Sequence, residues 1–153
     1  KPVMQMNRKH FRWCLETHAL ALVLLCQEAI KLMIEGGSIK ALSSFGASRA
    51  IPDYGFIGAS KAAQESLVRS QAQELGQQGI RINTVSAGEV DTSALSHFQN
   101  REELLEAFRL RNPTGKSLVP EYVANVIDLL SMPGAGMING QILVVEGGYA
   151  ISG

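Results

Sequence analysis

Two apolar runs, Ser38-Ile-Lys-Ala-Leu-Ser-Ser44 and Ile80-Arg-Ile-Asn-Thr-Val-Ser86, stand on either side of a stretch carrying Val68, Ala72 and Leu75 at i, i+4 and i+7. Each run is short, β-branched or aliphatic and bounded by glycine, which predicts a strand. The stretch between them has helical spacing and stops at Gly76. A strand, a helix and a second strand in this order are the core of an α/β fold.

The same reading extends outward. From about Arg8 to Glu35, Leu20, Val23, Leu24, Ile30, Met33 and Ile34 recur at helical spacings, and Gly36-Gly37 ends the pattern. Ala87 to Leu118 is a longer polar section with a predicted short helix from Arg101 to Leu110, capped by Asn100 with Glu103 three residues on. Pro120 opens another helix, with Val123, Val126, Ile127 and Leu130 on one face, ended by Pro133-Gly134. Gln141-Ile-Leu-Val-Val-Glu146 is a third strand, closed by Gly147-Gly148. Helices alternating with three short strands predict a Rossmann-like parallel sheet covered on both faces, in one domain over 1–153. There is no internal repeat or linker.

The totals narrow the function classes. Fourteen basic and fourteen acidic residues leave no net charge, so neither nucleic acid nor an anionic membrane surface is the expected partner. Cys14 and Cys26 form no CxxC and meet no histidine cluster, so no metal site or disulfide is expected. They read as small buried thiols in a reducing cytoplasm. Ala19-Leu-Ala-Leu-Val-Leu-Leu-Cys26 imitates the core of an export signal, yet it is flanked by Glu16 and Gln27-Glu28 with no cleavage pattern, and it is too short to span a bilayer. It reads as a buried helix.

In parallel sheets ligands bind beyond the carboxyl ends of the strands. Here those ends are Ser43-Ser44, Ser86-Ala87-Gly88 and Glu146-Gly147. Next to the first lie Tyr54 and Lys61, seven apart, which on a helix is nearly two turns and places both on one face. An ammonium near a phenol stabilises the phenolate and makes the hydroxyl a better donor. With Ser44 the three groups suit a reaction that builds negative charge on a carbonyl oxygen. Spacing alone fits better with Tyr54 on a loop, a solvated Lys61 and a Ser44 that merely caps a strand.

Ser43-Ser44, Tyr54, Ser60-Lys61-Ala62-Ala63, Gly79-Ile-Arg-Ile-Asn83, Ser86-Ala-Gly-Glu-Val-Asp-Thr92 and Met137 to Gly148, in this order, resemble the C-terminal portion of a short-chain dehydrogenase/reductase. Most of that superfamily spaces tyrosine and lysine by four, where this chain has Ile57. The wider gap, with Arg49-Ala-Ile-Pro-Asp-Tyr54 and Ser93 to Asn100, is similar to the enoyl-acyl-carrier-protein reductases, and Ser44 is similar to their NADPH-dependent type III branch. The resemblance implies reduction of an enoyl thioester, bound to acyl carrier protein or CoA, by NADPH or NADH in fatty acid biosynthesis. A carbonyl reductase of the same superfamily is the alternative, and a truncated, non-catalytic assembly module is a third reading.

By the same resemblance Tyr54 would hydrogen-bond the thioester oxygen, Lys61 would hold the nicotinamide ribose, and Ser44 would support the substrate oxygen. Ala87, Gly88 and Thr92 would line the nicotinamide, while Leu95, Phe98, Leu104, Leu105 and Phe108 would meet an acyl chain or pack as an amphipathic helix on their own domain. The first two long helices would join a homo-oligomer. His18 stands where many superfamily members carry a relay asparagine and reads as a packed, hydrogen-bonded residue. The superfamily's phosphate-binding glycines have no counterpart: Gly134-Ala-Gly136 with Gly140 precedes a strand rather than a helix. The expected sheet therefore lacks the fold's N-terminal strands, and with them the residues that choose between NADH and NADPH.

Overall fold

The structure, a computed structural model, describes residues 1–92 and 101–152. The expectations for Leu95, Phe98 and the Asn100 cap lie outside the described residues. The chain opens with helix α1 (Arg8–Leu15), a π turn (Glu16–Leu20) and helix α2 (Ala21–Ala29). Asn7 caps α1, its side chain accepting from the His10 N–H at 3.1 Å. Strand β1 (Gly37–Ser44), helix α3 (Gly55–Leu75), strand β2 (Ile80–Ala87), helices α4 (Arg101–Arg111) and α5 (Pro120–Leu129) and strand β3 (Ile142–Val145) follow.

The strands form one parallel sheet in the order β1-β2-β3, with Gly37 opposite Ile80 and Thr84 opposite Ile142. Its two faces have separate cores. Cys26, Ala41, Val68, Ala72 and Ile82 pack beneath α2 and α3, while Val85, Val123, Leu130 and Ala135 pack on the α5 side. Both cysteines are free and buried, as the composition predicts, and burial pushes each thiol upward in pKa.

Buried amides join the sheet to its connections. The Asn83 Nδ2 donates to Ile138 O at 2.8 Å and its Oδ1 accepts from the Gln141 N–H at 2.9 Å. Asn139 does the same between the Ile82 N–H, at 2.9 Å, and Ala72 O, at 3.0 Å. These bonds satisfy backbone groups where the chain enters β3, which would otherwise be orphaned.

Three expectations change. The first helix ends at Ala29, not near Glu35: Leu32, Met33 and Gly36 make i→i+3 backbone bonds that turn the chain back toward β1, leaving Leu32 and Ile34 exposed. The third main helix stops at Leu129, before Pro133. The sheet is not covered on both faces everywhere, because α5 lies over β2 and β3 and leaves the β1 residue Leu42 50% exposed.

Backbone direction sets which groups of β1 remain open. The Gly37 N–H bonds Gly79 O at 3.1 Å, so the odd-numbered residues of β1 address β2. Ser38, Lys40, Leu42 and Ser44 therefore turn their N–H and C=O groups to the outer edge of the sheet.

Candidate active site

The carboxyl ends of β1 and β2 and the start of α3 come together as the sequence predicts. Ser44 Oγ and Tyr54 Oη are 3.2 Å apart, and either can donate. Tyr54 is the N-cap residue of α3, with ψ 0°, rather than a residue of its first turn. Seven-residue helical spacing is therefore not what faces it toward Ser44.

Two glycines place it instead. A methyl group on Gly58 would lie 2.3 Å from Gly46 O, and one on Gly46 would lie 2.4 Å from Cδ1 of Tyr54. The turn after β1 and the start of α3 cross backbone to backbone, and the phenol ring rests on Gly46. Asp53, just before the tyrosine, takes φ 61°, a conformation aspartate tolerates better than most residues. The loop thus swings Tyr54 back over the strand end.

Lys61 faces the same region but holds a different partner. Its Nζ donates to Leu42 O at 2.7 Å and to Gln64 Oε1 at 3.2 Å. No hydrogen bond joins it to Tyr54 among the described residues. Burial lowers its pKa and Glu65 opposes that shift. Glu65 itself is buried and accepts from Ser43 Oγ at 2.6 Å, tying α3 to β1 one residue before Ser44.

His18 lies in the π turn, where the Ala21 N–H reaches back to Glu16 O. It packs and hydrogen-bonds as expected, with Nδ1 2.7 Å from Ser60 Oγ. Ser60 gives its single proton to Ile57 O at 2.7 Å, so the network assigns the donor hydrogen to Nδ1 of His18. Burial, then the charge of Lys61, lowers the pKa of His18 below 6.5. A folded-state value below the unfolded one contributes stability that is present above 6.5 and lost as pH falls through the folded value. The thermal midpoint is therefore expected to drop on acidification toward about pH 5, and His18→Gln to flatten that drop. An unchanged acid profile in the variant would remove His18 as its source.

At the end of β2, Ala87 and Gly88 lie where the nicotinamide-lining residues were expected, the Gly88 N–H bonded to Val145 O at 3.0 Å. A methyl group on Gly88 would meet the Phe108 ring at 2.7 Å. Phe108 is thus not free to meet an acyl chain: it is buried with Phe45 and Leu118 and stacks on Tyr149 at 4.8 Å between ring centroids. Its helix packs on its own domain because α4 returns onto the strand ends. Thr92 is exposed, and its neighbour Asp91 makes a two-nitrogen ion pair with Arg101. The double glycine, φ 67° and 92°, packs closely against Asn112 and Pro113.

Sequence reading missed Gly46, Gly58 and the Ser43–Glu65 pair. The glycines were visible only as loop and helix residues, since nothing local says that two backbones cross there. Glu89, half-buried with its pKa raised by burial, also lies at this strand end. A carboxylate following a strand end was the available signal.

Beyond the geometry, residues 1–150 match the family model described as Enoyl-(Acyl carrier protein) reductase. The chain belongs to this family. It is 38% identical over 153 residues to the 1-cyclohexenylcarbonyl-CoA reductase of Streptomyces collinus, covering 99% of this chain and 55% of that protein. Over 149 residues it is 38% identical to the NADH enoyl-acyl-carrier-protein reductase FabI of Nostoc, covering 97% of this chain and 58% of the other. Among solved structures, the Bacillus cereus enoyl-acyl carrier protein reductase with NADP+ and an indole naphthyridinone superposes with a TM-score of 0.96 at 30% identity, covering 100% of this chain and 60% of that one. The chain thus spans little more than half the length of the curated relatives it matches. No helix among the described residues is long and apolar enough to cross a membrane.

Proposed function

We propose that the chain carries the substrate-activating part of an NAD(P)H-dependent enoyl-thioester reductase of fatty acid biosynthesis, acting on acyl groups carried by acyl carrier protein or CoA. The observation that carries this reading is the Ser44–Tyr54 hydroxyl pair at 3.2 Å beyond the strand ends, with the Lys61 amine on the adjoining helix. The chemistry of the groups present suits the ribose and carboxamide end of a nicotinamide nucleotide: the Lys61 amine would hold the ribose hydroxyls, and the Thr92 hydroxyl would hold the carboxamide beside Ala87 and Gly88, whose N–H is already taken by Val145 O. No glycine-rich turn opening a helix offers a pyrophosphate cradle among the described residues. When bound, such a nucleotide supplies a hydride.

The chain's own residues act on the thioester oxygen. Tyr54 Oη donates to it and stabilises the enolate that develops there, because a fixed donor needs no reorganisation as charge builds. Ser44 Oγ holds Tyr54 in register and offers a second hydroxyl. A positively charged Lys61 brought toward the phenol would further favour proton donation. The relatives' names favour NADH in FabI and NADP+ in the Bacillus cereus structure, so either nucleotide is a fair substrate for the first assay.

Exposed Trp13, Leu20, Leu24 and Leu25 along α1, the π turn and α2 support the association of copies through the long helices. They also favour the second reading, in which the chain serves assembly without catalysis. An assay separates the two: follow oxidation of NADPH or NADH with a crotonyl thioester and with a 3-oxobutanoyl thioester, adding the part of the Nostoc relative that lies outside the match. Turnover of the enoyl substrate supports the proposal, preference for the oxo substrate assigns carbonyl reduction, and no turnover in any mixture leaves the assembly reading.

A further inference from the structure

Glu65 sits on the face of α3 that packs on β1 and is 8% exposed. A carboxylate is seldom buried so far unless something offsets its charge. Its Oε1 accepts from Ser43 Oγ at 2.6 Å, and it makes no ion pair among the described residues. One turn earlier on the same helix stands Lys61, whose Nζ donates to Leu42 O at 2.7 Å. A lysine and a carboxylate four apart on a helix are neighbours on its surface.

The two side chains grip consecutive residues of β1. Lys61 holds the carbonyl of Leu42 and Glu65 the hydroxyl of Ser43, and the next residue is Ser44, which meets Tyr54 at 3.2 Å. The titratable groups around the amine are Glu65 and Tyr54 of α3 and His18 of the π turn. Its remaining partners, Leu42 O of β1 and Gln64 Oε1, are neutral. Glu65 is thus the charge that favours the ammonium against its burial.

We propose that Glu65 is a positioning residue of this site: its buried carboxylate anchors the end of β1 through Ser43 and serves as the counter-charge that holds Lys61 as an ammonium. It acts through these two residues, not on the reacting atoms. Its consequence for the reaction rests on the function proposed above; the anchor and the counter-charge do not. Substitution separates the two roles. Glu65→Gln keeps an oxygen for Ser43 and removes the charge, whereas Ser43→Ala keeps the charge and removes the bond.

In the chain carrying a carbon-13 label at lysine Cε, the Lys61 resonance, assigned by its loss in Lys61→Met, reports the titration of the amine. Glu65→Gln is expected to lower its midpoint by about one pH unit, and Glu65→Asp, which keeps the charge, to restore most of that shift. Glu65→Met, neutral and of similar volume, gives the same reading should the glutamine variant not fold. Ser43→Ala is expected to leave the midpoint in place and to speed amide exchange of Ala41 and of position 43, both bonded toward β2, by about tenfold or more. An unmoved Lys61 midpoint in the neutral variants would overturn the proposal, and so would unchanged exchange in Ser43→Ala. With the Nostoc portion added and a crotonyl thioester as substrate, the basic limb of the kcat/KM profile is expected to move to lower pH in Glu65→Gln, because the amine loses its proton sooner. A limb that stays while the resonance moves would overturn the role in the reaction. The resonance and exchange readouts use no turnover, so a failed reductase assay leaves them intact.

Discussion

Tyr54→Phe is expected to lower kcat/KM for a crotonyl thioester by about a hundred- to a thousandfold in the complemented protein, the range seen when one preorganised oxyanion donor is lost. The ring keeps its seat against Gly46, where the contact is with Cδ1 and Cε1 rather than the hydroxyl. Only the bond to Ser44 disappears from the fold, worth about 0.5–1.5 kcal/mol. The thermal midpoint should therefore move by only a few degrees while the rate collapses. Rate and melting temperature measured on the same preparation check this, and a variant that turns over normally would remove Tyr54 from the chemistry.

Gly58→Ala is expected to be the most damaging small substitution in the helix. The added carbon would stand 2.3 Å from Gly46 O and 3.0 Å from its carbonyl carbon, both backbone atoms, so no side chain can yield. Overpacking of this kind costs about 1–3 kcal/mol. For a domain of this size that lowers the melting temperature by about 2–12 °C. Activity should fall as well, because relief of the clash parts α3 from the turn that seats Tyr54. Alanine is otherwise a better helix former than glycine, so a stabilised variant would show that the two backbones do not meet as described.

These two outcomes separate what is chemically local from what is packed. The strands, the parallel character of the sheet and the approach of Ser44 and Tyr54 were legible because periodicity and turn residues are local signals, and the strand ends say where a ligand binds. The end of the first helix at Ala29 was not, since Leu32, Met33 and Ile34 continue its apolar pattern while the chain has to turn toward β1. Phe108 was read both as a residue meeting an acyl chain and as part of a helix packing on its own domain. Its place between Phe45, Leu118 and Tyr149 depends on the return of α4 over the strand ends, which no short window contains.

The sequence by itself determined the α/β class, the three strands of a parallel sheet, the family resemblance and the identity of the hydroxyl and amine groups gathered near the strand ends. These follow from residue type and spacing, which are properties of the chain before it packs. Only the tertiary structure decided how those groups are held: Tyr54 at an N-cap against Gly46, Glu65 buried on Ser43, His18 on Ser60, and Lys61 on the Leu42 carbonyl rather than on the tyrosine. The physical reason is that each of these contacts joins residues far apart in the chain, such as Ser43 with Glu65 and His18 with Ser60, so it exists only once strand and helix have packed and buried polar groups have found partners.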